Sequence, residues 1–596
     1  MYFLLQKFVA GIVLLFSSSL VIAGIFPNYA DAKLATAIST AASNTSLHPN
    51  SQREEKGQGA GGLVLPYRDP FVPNSAGELE MAQATPTPEA SPTPDSPPIT
   101  VTKIDLQGSS FAESAAIQSI LKTVEGQTVS LARLKNIADQ ITGWYFQQGY
   151  ITSEAIVDES SIKDGVVRIQ VIEGTIEEIQ FDPPTKRIHP DYVRSRLGMG
   201  THKPFSPSKL EEQLRLLQID PLFSKVEASV RPGTNRGQSI VVVRLTEAEP
   251  FDLNLSADNY SPPSLGSERL GIGAIYRNLT GIGDQISANY YFTTKSGGSN
   301  LYDFSYQVPL NPMNGTLQLR TAINKVKVVQ APFDIFDIRG ESTLYEITYR
   351  QPIVRSLAQE FALSLGFSVQ NGQTFTFAGP TPFGIGPDND GNSQTRTIRF
   401  SQDYVQRSLE GVWGLRSQFN FGIGAFDATI NDDPKPDGRF FSWLLQLQRQ
   451  QKLSQNHLLI AQLDLQLTPN GLLPSQQFVI GGGQSVRGYR QNVRAGDNGL
   501  RLSIENRIGL QKNPDNGQDV LQLAPFFDLG YIWNVDSNPN LIQRQKFISG
   551  LGLGVLWKPL PDFNLRLDYA VPLIELDDRG TNAQDDGLYF SVGLHL

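Results

Sequence analysis

The sequence predicts a transmembrane β-barrel of 16 antiparallel strands, preceded by two small α/β domains. Residues 251–596 alternate apolar and polar side chains with a period of two, and their connectors alternate between short and long. Residues 99–248 instead contain two copies of a β-α-α-β-β pattern. Charged residues make up 18% of the chain, against about 25% in average soluble proteins, and 53 residues are glycine. This composition indicates a β-rich chain with much of its surface facing something other than water.

The composition also excludes several classes of function. The chain has no cysteine, so it has neither a disulfide framework nor a thiolate metal site. Its five histidines follow no metal-ligand spacing, and the phosphate-loop and nucleophile-elbow motifs are absent from the sequence. The net charge of −9 argues against a nucleic-acid partner. We therefore predict a protein that is not an enzyme and that uses no metal or cofactor.

Residues 1–32 have the features of a secretory signal peptide. Lys7 precedes the apolar run 8–16, and the sequence from Ala30 to Ala32 supplies an A-x-A cleavage site. An uncleaved anchor helix is the alternative. Residues 33–98 are rich in Ser, Thr, Ala, Gly and Pro, which predicts an extended linker because little apolar surface is available for burial. A short plug element within this linker remains an open alternative.

The two α/β copies are predicted at 99–174 and 175–248. In the first copy, apolar residues at helical spacing from Leu131 to Tyr145 indicate a helix, which is followed by strands at 153–157 and 166–172. A short strand at Ile104 and Leu106 and a helix at residues 116–121 precede them, so the first copy has the order β-α-α-β-β.

The second copy contains two predicted helices before its closing strands. The first helix is expected near residues 190–197. The second is expected to begin with a capping box formed by Ser208 and Glu211, since a serine three residues before a glutamate is a common helix start.

The barrel prediction rests on strand periodicity and connector length. Leu463 and Leu465, for example, alternate with Gln462, Asp464 and Gln466. The predicted strands start near residues 251, 271, 284, 300, 315, 342, 359, 395, 412, 440, 457, 498, 521, 547, 562 and 586. Short turns on one side and long loops on the other are typical of outer-membrane barrels, and an even strand count places both barrel ends on the periplasmic, short-turn side. A soluble β-sandwich is the alternative.

The connector at 468–497 is the longest in the barrel. Its three successive glycines, 481–483, permit close backbone approach, so we expect the loop to fold back into the lumen. A flexible extracellular loop is one alternative. A phosphate-cradling loop is a second, which the absence of a following Lys-Ser/Thr disfavours.

Several motifs resemble one family of outer-membrane proteins. The loop sequence Val486-Arg487-Gly488-Tyr489 resembles the loop signature of the superfamily that contains outer-membrane assembly insertases and two-partner secretion transporters. The α/β copies resemble its POTRA domains, down to Glu173-Gly174 at the end of the first. Phe526, Asp528 and Gly530 resemble its second barrel motif. With two POTRA-like units before sixteen strands, residues 99–596 are most similar to the two-partner secretion branch.

The resemblance implies that Arg487 enters the barrel and pairs with acidic residues of the inner wall. Strand parity tests this independently, because Glu505 and Asp528 both alternate with apolar residues on adjacent strands. Phe526 and Gly530 share the lumenal face of Asp528. In a wet lumen such a pair is expected to contribute about 1 kcal/mol, weak enough for a latch. Ordinary lumenal charges without a special role are the alternative.

These features predict transport of a large unfolded β-rich exoprotein from the periplasm to the cell surface. We expect its capture by strand addition to a POTRA edge, either near Ala228 or at the first-copy strand. That strand comprises Ser153, Glu154, Ala155, Ile156 and Val157. The predicted partners are the exoprotein and outer-membrane lipid, with a monomeric barrel. An insertase for other barrel proteins, which needs a weak seam between the first and last strands, is the alternative, and a passive porin is a third.

Overall fold

A computed structural model describes residues 98–596 and the backbone of Leu63 and Val64. The predicted signal peptide and nearly all of the predicted linker lie outside the described residues. The described chain divides into two compact units. One contains residues up to Ala248, and the other contains residues 249–596.

The first α/β domain has the predicted order of elements, with two short extra strands. Its helices begin at serine N-caps because the Ser114 and Ser130 hydroxyls each accept a hydrogen bond from a backbone N–H of the first turn, at 3.3 Å. The elements are β2 (Ile99–Thr100), β3 (Lys103–Gln107), α1 (Ala115–Leu121), β4 (Thr128–Val129), α2 (Leu131–Gln147), β5 (Glu154–Val157) and β6 (Val166–Ile172). The three-stranded sheet has the order β3-β6-β5, with β5 at one edge.

The second domain repeats the pattern. Its elements are β7 (Thr175–Phe181), α3 (Pro190–Gly198), α4 (Pro207–Gln218), β8 (Phe223–Pro232) and β9 (Gln238–Glu247). The predicted capping box is wrong, because the N-cap lies two residues before the predicted cap at Ser208. Ser206 is the N-cap, and Pro207 starts the helix because its fixed φ angle suits the first helical position. Ser208 lies inside the first turn, where its hydroxyl is 2.9 Å from that of Ser206.

Glu173 fixes the end of the first domain. Its buried carboxylate accepts hydrogen bonds from the Ser110 N–H at 2.6 Å, the Ser110 hydroxyl at 2.7 Å and the Tyr145 hydroxyl at 2.7 Å. Burial, together with the bond to Glu173, raises the pKa of Tyr145, so this hydroxyl stays a donor at neutral pH. The next residue, Gly174, has no room for a side chain because a Cβ there would overlap Thr152.

The second unit is a closed barrel of sixteen antiparallel spanning strands, which confirms the predicted fold class. Each strand begins within three residues of its predicted start. The strands are β10 (Phe251–Asp258), β11 (Arg269–Arg277), β12 (Gln285–Thr293), β13 (Ser299–Pro309), β14 (Thr316–Lys327), β15 (Arg339–Arg355), β16 (Gln359–Thr376), β18 (Asn392–Ser408), β19 (Gly411–Gly422), β20 (Phe441–Lys452), β21 (His457–Leu467), β24 (Asn498–Lys512), β25 (Asp519–Trp533), β26 (Phe547–Leu560), β27 (Phe563–Pro572) and β28 (Leu588–His595). The two-residue β17 (Gly379–Pro380) pairs with β16 inside a connector.

The barrel closes where β10 pairs with β28, a junction that we call the seam. Five residues of each strand are in register, from Asn254 opposite His595 to Asp258 opposite Ser591. At the short-turn end, Leu253 and Leu596 exchange two backbone hydrogen bonds of 3.1 and 2.8 Å. Both barrel termini therefore lie on the short-turn side.

The two barrel faces differ in chemistry, as the period of two requires. Large apolar side chains such as Leu551 and Leu567 are about half exposed on the outer face. The inner face carries arginine–carboxylate pairs, such as Arg416 with Asp403 at 2.6 Å. Among the described residues, no helix combines the length and the hydropathy needed to cross a membrane.

Candidate functional site

The connector at 468–497 folds back into the barrel, and we call it the lumenal loop. Its two arms pair as β22 (Phe478–Ile480) and β23 (Arg494–Gly496). At its tip, Val486, Arg487 and Tyr489 are all buried. Gly481 and Gly482 adopt φ angles of +109° and +100°, a backbone conformation that favours glycine.

Arg487 binds two carboxylates on the inner wall. Its Nε and Nη2 atoms donate to the two oxygens of Asp528 at 2.6 and 2.9 Å, and its Nη1 donates to Glu505 at 2.8 Å. The Arg487 backbone N–H also donates to Asp528, at 3.1 Å. The guanidinium lies 3.3 Å from the centroid of the Phe526 ring, a cation–π contact. Asp528 is therefore held in two-pronged geometry that lysine could not reproduce.

The surrounding wall balances this cluster electrically. Arg566 donates to Glu505 at 2.6 Å and to Asp568 at 2.8 Å, and Arg507 donates to Glu505 at 2.8 Å. Three arginines thus face three carboxylates. Arg487 is only 5% exposed and Asp528 is fully buried. The pair is therefore not the wet contact of about 1 kcal/mol expected from the sequence, because removing one partner of a buried pair costs about 3–5 kcal/mol.

Glycines of the wall make room for the loop tip. A Cβ at Gly530 would lie 2.9 Å from Ile480 Cδ1 and 3.0 Å from Val486 Cγ2. Gly488, at φ +102°, packs with its backbone against Pro572, where a Cβ would meet Pro572 N at 3.1 Å. A Cβ added to Gly550, on β26, would overlap the Arg487 carbonyl oxygen.

We expect Gly550→Ala to displace the loop tip, because the new methyl group and the Arg487 carbonyl cannot occupy the same place. Overpacking of this kind costs about 1–3 kcal/mol. Single-channel recordings in planar bilayers should show more frequent opening. Gly372→Ala on β16 is the matched control, because the nearest atom to its Cβ would be at an ordinary 3.5 Å. Identical recordings for the two variants would contradict close packing of the loop on Gly550.

Tyr489 joins the loop to the last long connector and to β26. Its hydroxyl lies within donating distance of the carbonyl oxygens of Ser549 and Ile574, at 2.8 and 3.0 Å, and accepts the N–H groups of the same two residues at 3.2 Å. The Tyr589 hydroxyl, from β28, accepts from the Gly488 N–H at 2.9 Å and donates to the Tyr489 carbonyl at 2.6 Å. The four motif residues therefore all make close contacts with the inner wall or the connector.

Two further arginines of the loop were not singled out from the sequence. Arg490 forms a two-pronged ion pair with Asp585 at 2.8 and 2.7 Å, and Arg494 forms another with Asp578 at 2.9 and 2.8 Å. Both carboxylates belong to the connector 573–587. The signal in the sequence was an acid-rich connector matched to an arginine-rich loop, but complementary charge alone does not identify which connector meets the loop.

The first-domain edge strand, the predicted site of cargo binding, is partly engaged within its own domain. The Ser153 hydroxyl accepts from the Gly174 N–H at 2.9 Å. The Ala155 N–H, which points away from β6, donates to the Thr142 hydroxyl at 2.8 Å. Glu154 forms an ion pair with Arg236 of the second domain. The remaining members, Ile156 and Val157, pair with β6 through Gln170 and Ile169.

The second-domain edge strand accepts a strand from the same chain. Leu63 and Val64, which form β1, pair antiparallel with β8, opposite Val230 and Ser229. The sheet order is therefore β1-β8-β9-β7. The pairing lies one residue beyond Ala228, the alternative capture position in the sequence.

No group of three or more His, Cys, Asp or Glu side chains among the described residues could hold a metal ion. The lumenal cluster alternates cations with carboxylates, and both oxygens of Asp528 and both oxygens of Glu505 already accept hydrogen bonds from guanidinium groups. The arrangement positions a loop by electrostatics and hydrogen bonds.

A sixteen-stranded barrel with a lumenal loop and two POTRA domains defines an outer-membrane transporter whose POTRA domains lie in the periplasm. A family model described as haemolysin secretion/activation protein ShlB/FhaC/HecB matches residues 237–556, and a ShlB-type POTRA model matches residues 99–174. The chain belongs to this haemolysin secretion/activation family, which consists of transporters of the two-partner secretion type.

Individual relatives are distant but cover most of the chain. The outer membrane transporter CdiB of Dickeya dadantii (strain 3937) is 22% identical over 412 residues, which cover 68% of this chain and 71% of the relative. The heme/hemopexin transporter protein HuxB of Haemophilus influenzae (strain 86-028NP) is 22% identical over 83% of this chain and 86% of its own length. The solved structure of CdiB from Escherichia coli shares the fold, with a TM-score of 0.63, 19% identity, and coverage of 86% of this chain and 93% of that one.

Proposed function

We propose that this protein moves one large, unfolded, β-rich exoprotein from the periplasm to the cell surface through its barrel. Transporters of the two-partner secretion type work with a secreted exoprotein partner, which sets the class of cargo. The observation that carries the proposal is the lumenal loop, anchored by Arg487 to Asp528 and Glu505 inside a closed barrel. Export requires that this loop move or rearrange between a closed and a conducting state.

The closed seam favours secretion over the insertase alternative. An insertase needs a weak junction between the first and last strands. Here β10 and β28 remain paired, with Leu253 bonded to Leu596 at one end. At the other end, Asn259 bonds both Leu588 and Phe590 of β28 at 2.9 Å. A seam fastened at both ends supports a route through the lumen.

Cargo capture by strand addition is supported best at β8. The predicted strand at 153–157 offers few free groups, since the outward Ala155 N–H is already bonded to Thr142. The β8 edge extends over ten residues and already accepts Leu63 and Val64 by backbone pairing. In strand addition the affinity comes from main-chain hydrogen bonds, which do not depend on the side chains of the bound segment. This suits a long cargo of varied sequence.

The inner wall suits a passing polypeptide because its charges are compensated. Arg320 pairs with Asp303, and Arg399 pairs with Glu346, and both pairs lie on the lumenal face of the barrel wall. Paired charges leave little net attraction to halt an unfolded chain of either sign. We propose that cargo folding outside the cell supplies the driving force, because the sequence holds no nucleotide-binding motif.

Deletion of the gene for this protein in its source cell distinguishes secretion from the insertase and porin alternatives. We expect quantitative proteomics to show the loss of one large exoprotein from the medium and cell surface. The abundance of other outer-membrane barrel proteins should stay unchanged. Re-expression of the wild-type chain is the control and should restore the exoprotein. Depletion of many barrel proteins would instead indicate an insertase, and an unchanged surface proteome with reduced small-solute uptake would indicate a porin.

A further inference from the structure

One buried side chain, that of Gln584, bonds both the lumenal loop and the end of the seam. Gln584 lies in the connector 573–587 and is fully buried. Its Oε1 accepts the backbone N–H of Gln491, in the lumenal loop, at 2.7 Å. Its Nε2 donates to the carbonyl oxygens of Asn259 and Ser261, the latter at 2.8 Å. One amide therefore bonds the loop with its acceptor atom and the seam with its donor atom.

The seam end that Gln584 reaches is supported by few backbone hydrogen bonds. Register between β10 and β28 ends at Asp258 opposite Ser591, after five residues, whereas β10 and β11 pair over eight. Beyond that point the strands are joined by one backbone bond, from the Asn259 N–H to the Phe590 carbonyl at 3.3 Å, and by the Asn259 side chain, which bonds Leu588 and Phe590. Gln584 holds the Asn259 carbonyl, so it orients the residue that fastens β28.

A second contact ties the loop directly to the same strand. Tyr589 belongs to β28, and its hydroxyl bonds the N–H of Gly488 and the carbonyl of Tyr489. The loop motif therefore contacts β28 through Tyr589, while Gln584 bonds both the loop and the residues that directly follow β10. Every one of these groups is buried, so each bond that is lost leaves an unsatisfied polar atom.

We propose that Gln584 is a positioning residue that makes closure of the outer end of the seam depend on the seated lumenal loop. When Arg487 leaves Asp528, Gln491 moves away from Gln584, and the amide loses its fixed orientation. The bonds from Gln584 to Asn259 and Ser261 then weaken, and the pairing of β10 with β28 loosens at the outer end of the seam. A loop that moves during transport would thus loosen one end of the barrel junction at the same time. The proposal concerns the barrel alone and holds for any cargo.

Hydrogen exchange on the full-length protein in lipid nanodiscs tests the coupling. Gln584→Ala should speed amide exchange in the segment 588–592 by about tenfold, because a loss of buried hydrogen bonds raises the population of locally open states. Gln584→Glu should have the same effect on the seam, since a carboxylate keeps the acceptor for Gln491 but cannot donate to Asn259. Segments on β19 and β20, at the far wall, should be unaffected in both variants.

A double-mutant comparison distinguishes coupling from simple loss of packing. Arg487→Ala should also speed exchange in 588–592, and the combination with Gln584→Ala should speed it by less than the product of the two single effects, because both changes disrupt the connection through Gln584 while only Arg487→Ala disturbs the contact at Tyr589. Gln466→Ala is the matched control. This buried glutamine bonds the carbonyls of Gln476 and Asp497 at the base of the loop, without touching the seam. Additive effects of the two variants, unchanged seam exchange in Gln584→Ala, or equal acceleration by Gln466→Ala would each overturn the proposal.

Discussion

Arg487→Ala is expected to reduce export of the exoprotein by at least about tenfold while the barrel still inserts into the outer membrane. The reason is the burial of the cluster. Without Arg487, the carboxylates of Asp528 and Glu505 stay inside the wall with one cation fewer, at a cost of about 3–5 kcal/mol, where 1.4 kcal/mol corresponds to a tenfold change in equilibrium. The loop tip then leaves its place, so transport no longer starts from a defined closed state.

Export is measured as exoprotein in the medium, insertion as heat-modifiable barrel in outer-membrane fractions, and loop position as single-channel conductance. Conductance should become larger and more variable in Arg487→Ala. Arg320→Ala is the matched control, because Arg320 also forms a two-pronged pair, with Asp303, on the inner wall without contacting the loop. Wild-type export from Arg487→Ala, or equal loss from Arg320→Ala, would show that Arg487 is an ordinary lumenal charge.

The barrel could be predicted from sequence because a membrane imposes a pattern on neighbouring residues of each strand. Lipid on one face and water on the other require alternation at every residue, so strand starts and the lumenal face of Glu505 and Asp528 follow from parity alone. The same parity placed Phe526 on the lumenal face, where its ring contacts the Arg487 guanidinium. The start of the second helix in the second α/β domain was predicted wrongly, because two nearby serines can each serve as an N-cap. Pro207 favours the first helical position, so Ser206 is the N-cap in place of Ser208.

Contacts between connectors could not be predicted, because no periodicity relates them. Gln584 lies 93 residues from Gln491 and 325 from Asn259, and its role depends on three segments that meet only in the closed barrel. The burial of Arg487 was missed for a related reason. Parity shows that a wall residue faces the lumen, but whether water reaches it depends on how the loop packs, which raised the expected cost of losing the pair from about 1 to about 3–5 kcal/mol.

A disulfide between β1 and β8 is expected to block cargo capture reversibly. The chain has no cysteine, so Val64→Cys with Ser229→Cys introduces the only two thiols. These residues are directly opposite in an antiparallel pair, where Cα atoms lie about 4.5–5.5 Å apart, within the range that a disulfide spans. The oxidised protein should bind an unfolded exoprotein segment at least about tenfold more weakly, because β1 then occupies the edge that the cargo needs.

Reduction with dithiothreitol should restore binding to the wild-type level, measured on the full-length protein in detergent by fluorescence anisotropy of a labelled exoprotein segment. Ser229→Cys with Val242→Cys is the matched control. It uses the same position on β8 but links it inward to β9, so the outer edge stays open. If the β8 edge captures cargo, only the variant with the disulfide between residues 64 and 229 loses binding when oxidised. If both oxidised proteins bind normally, capture occurs elsewhere, and the partly covered edge at Ile156 and Val157 becomes the next position to test.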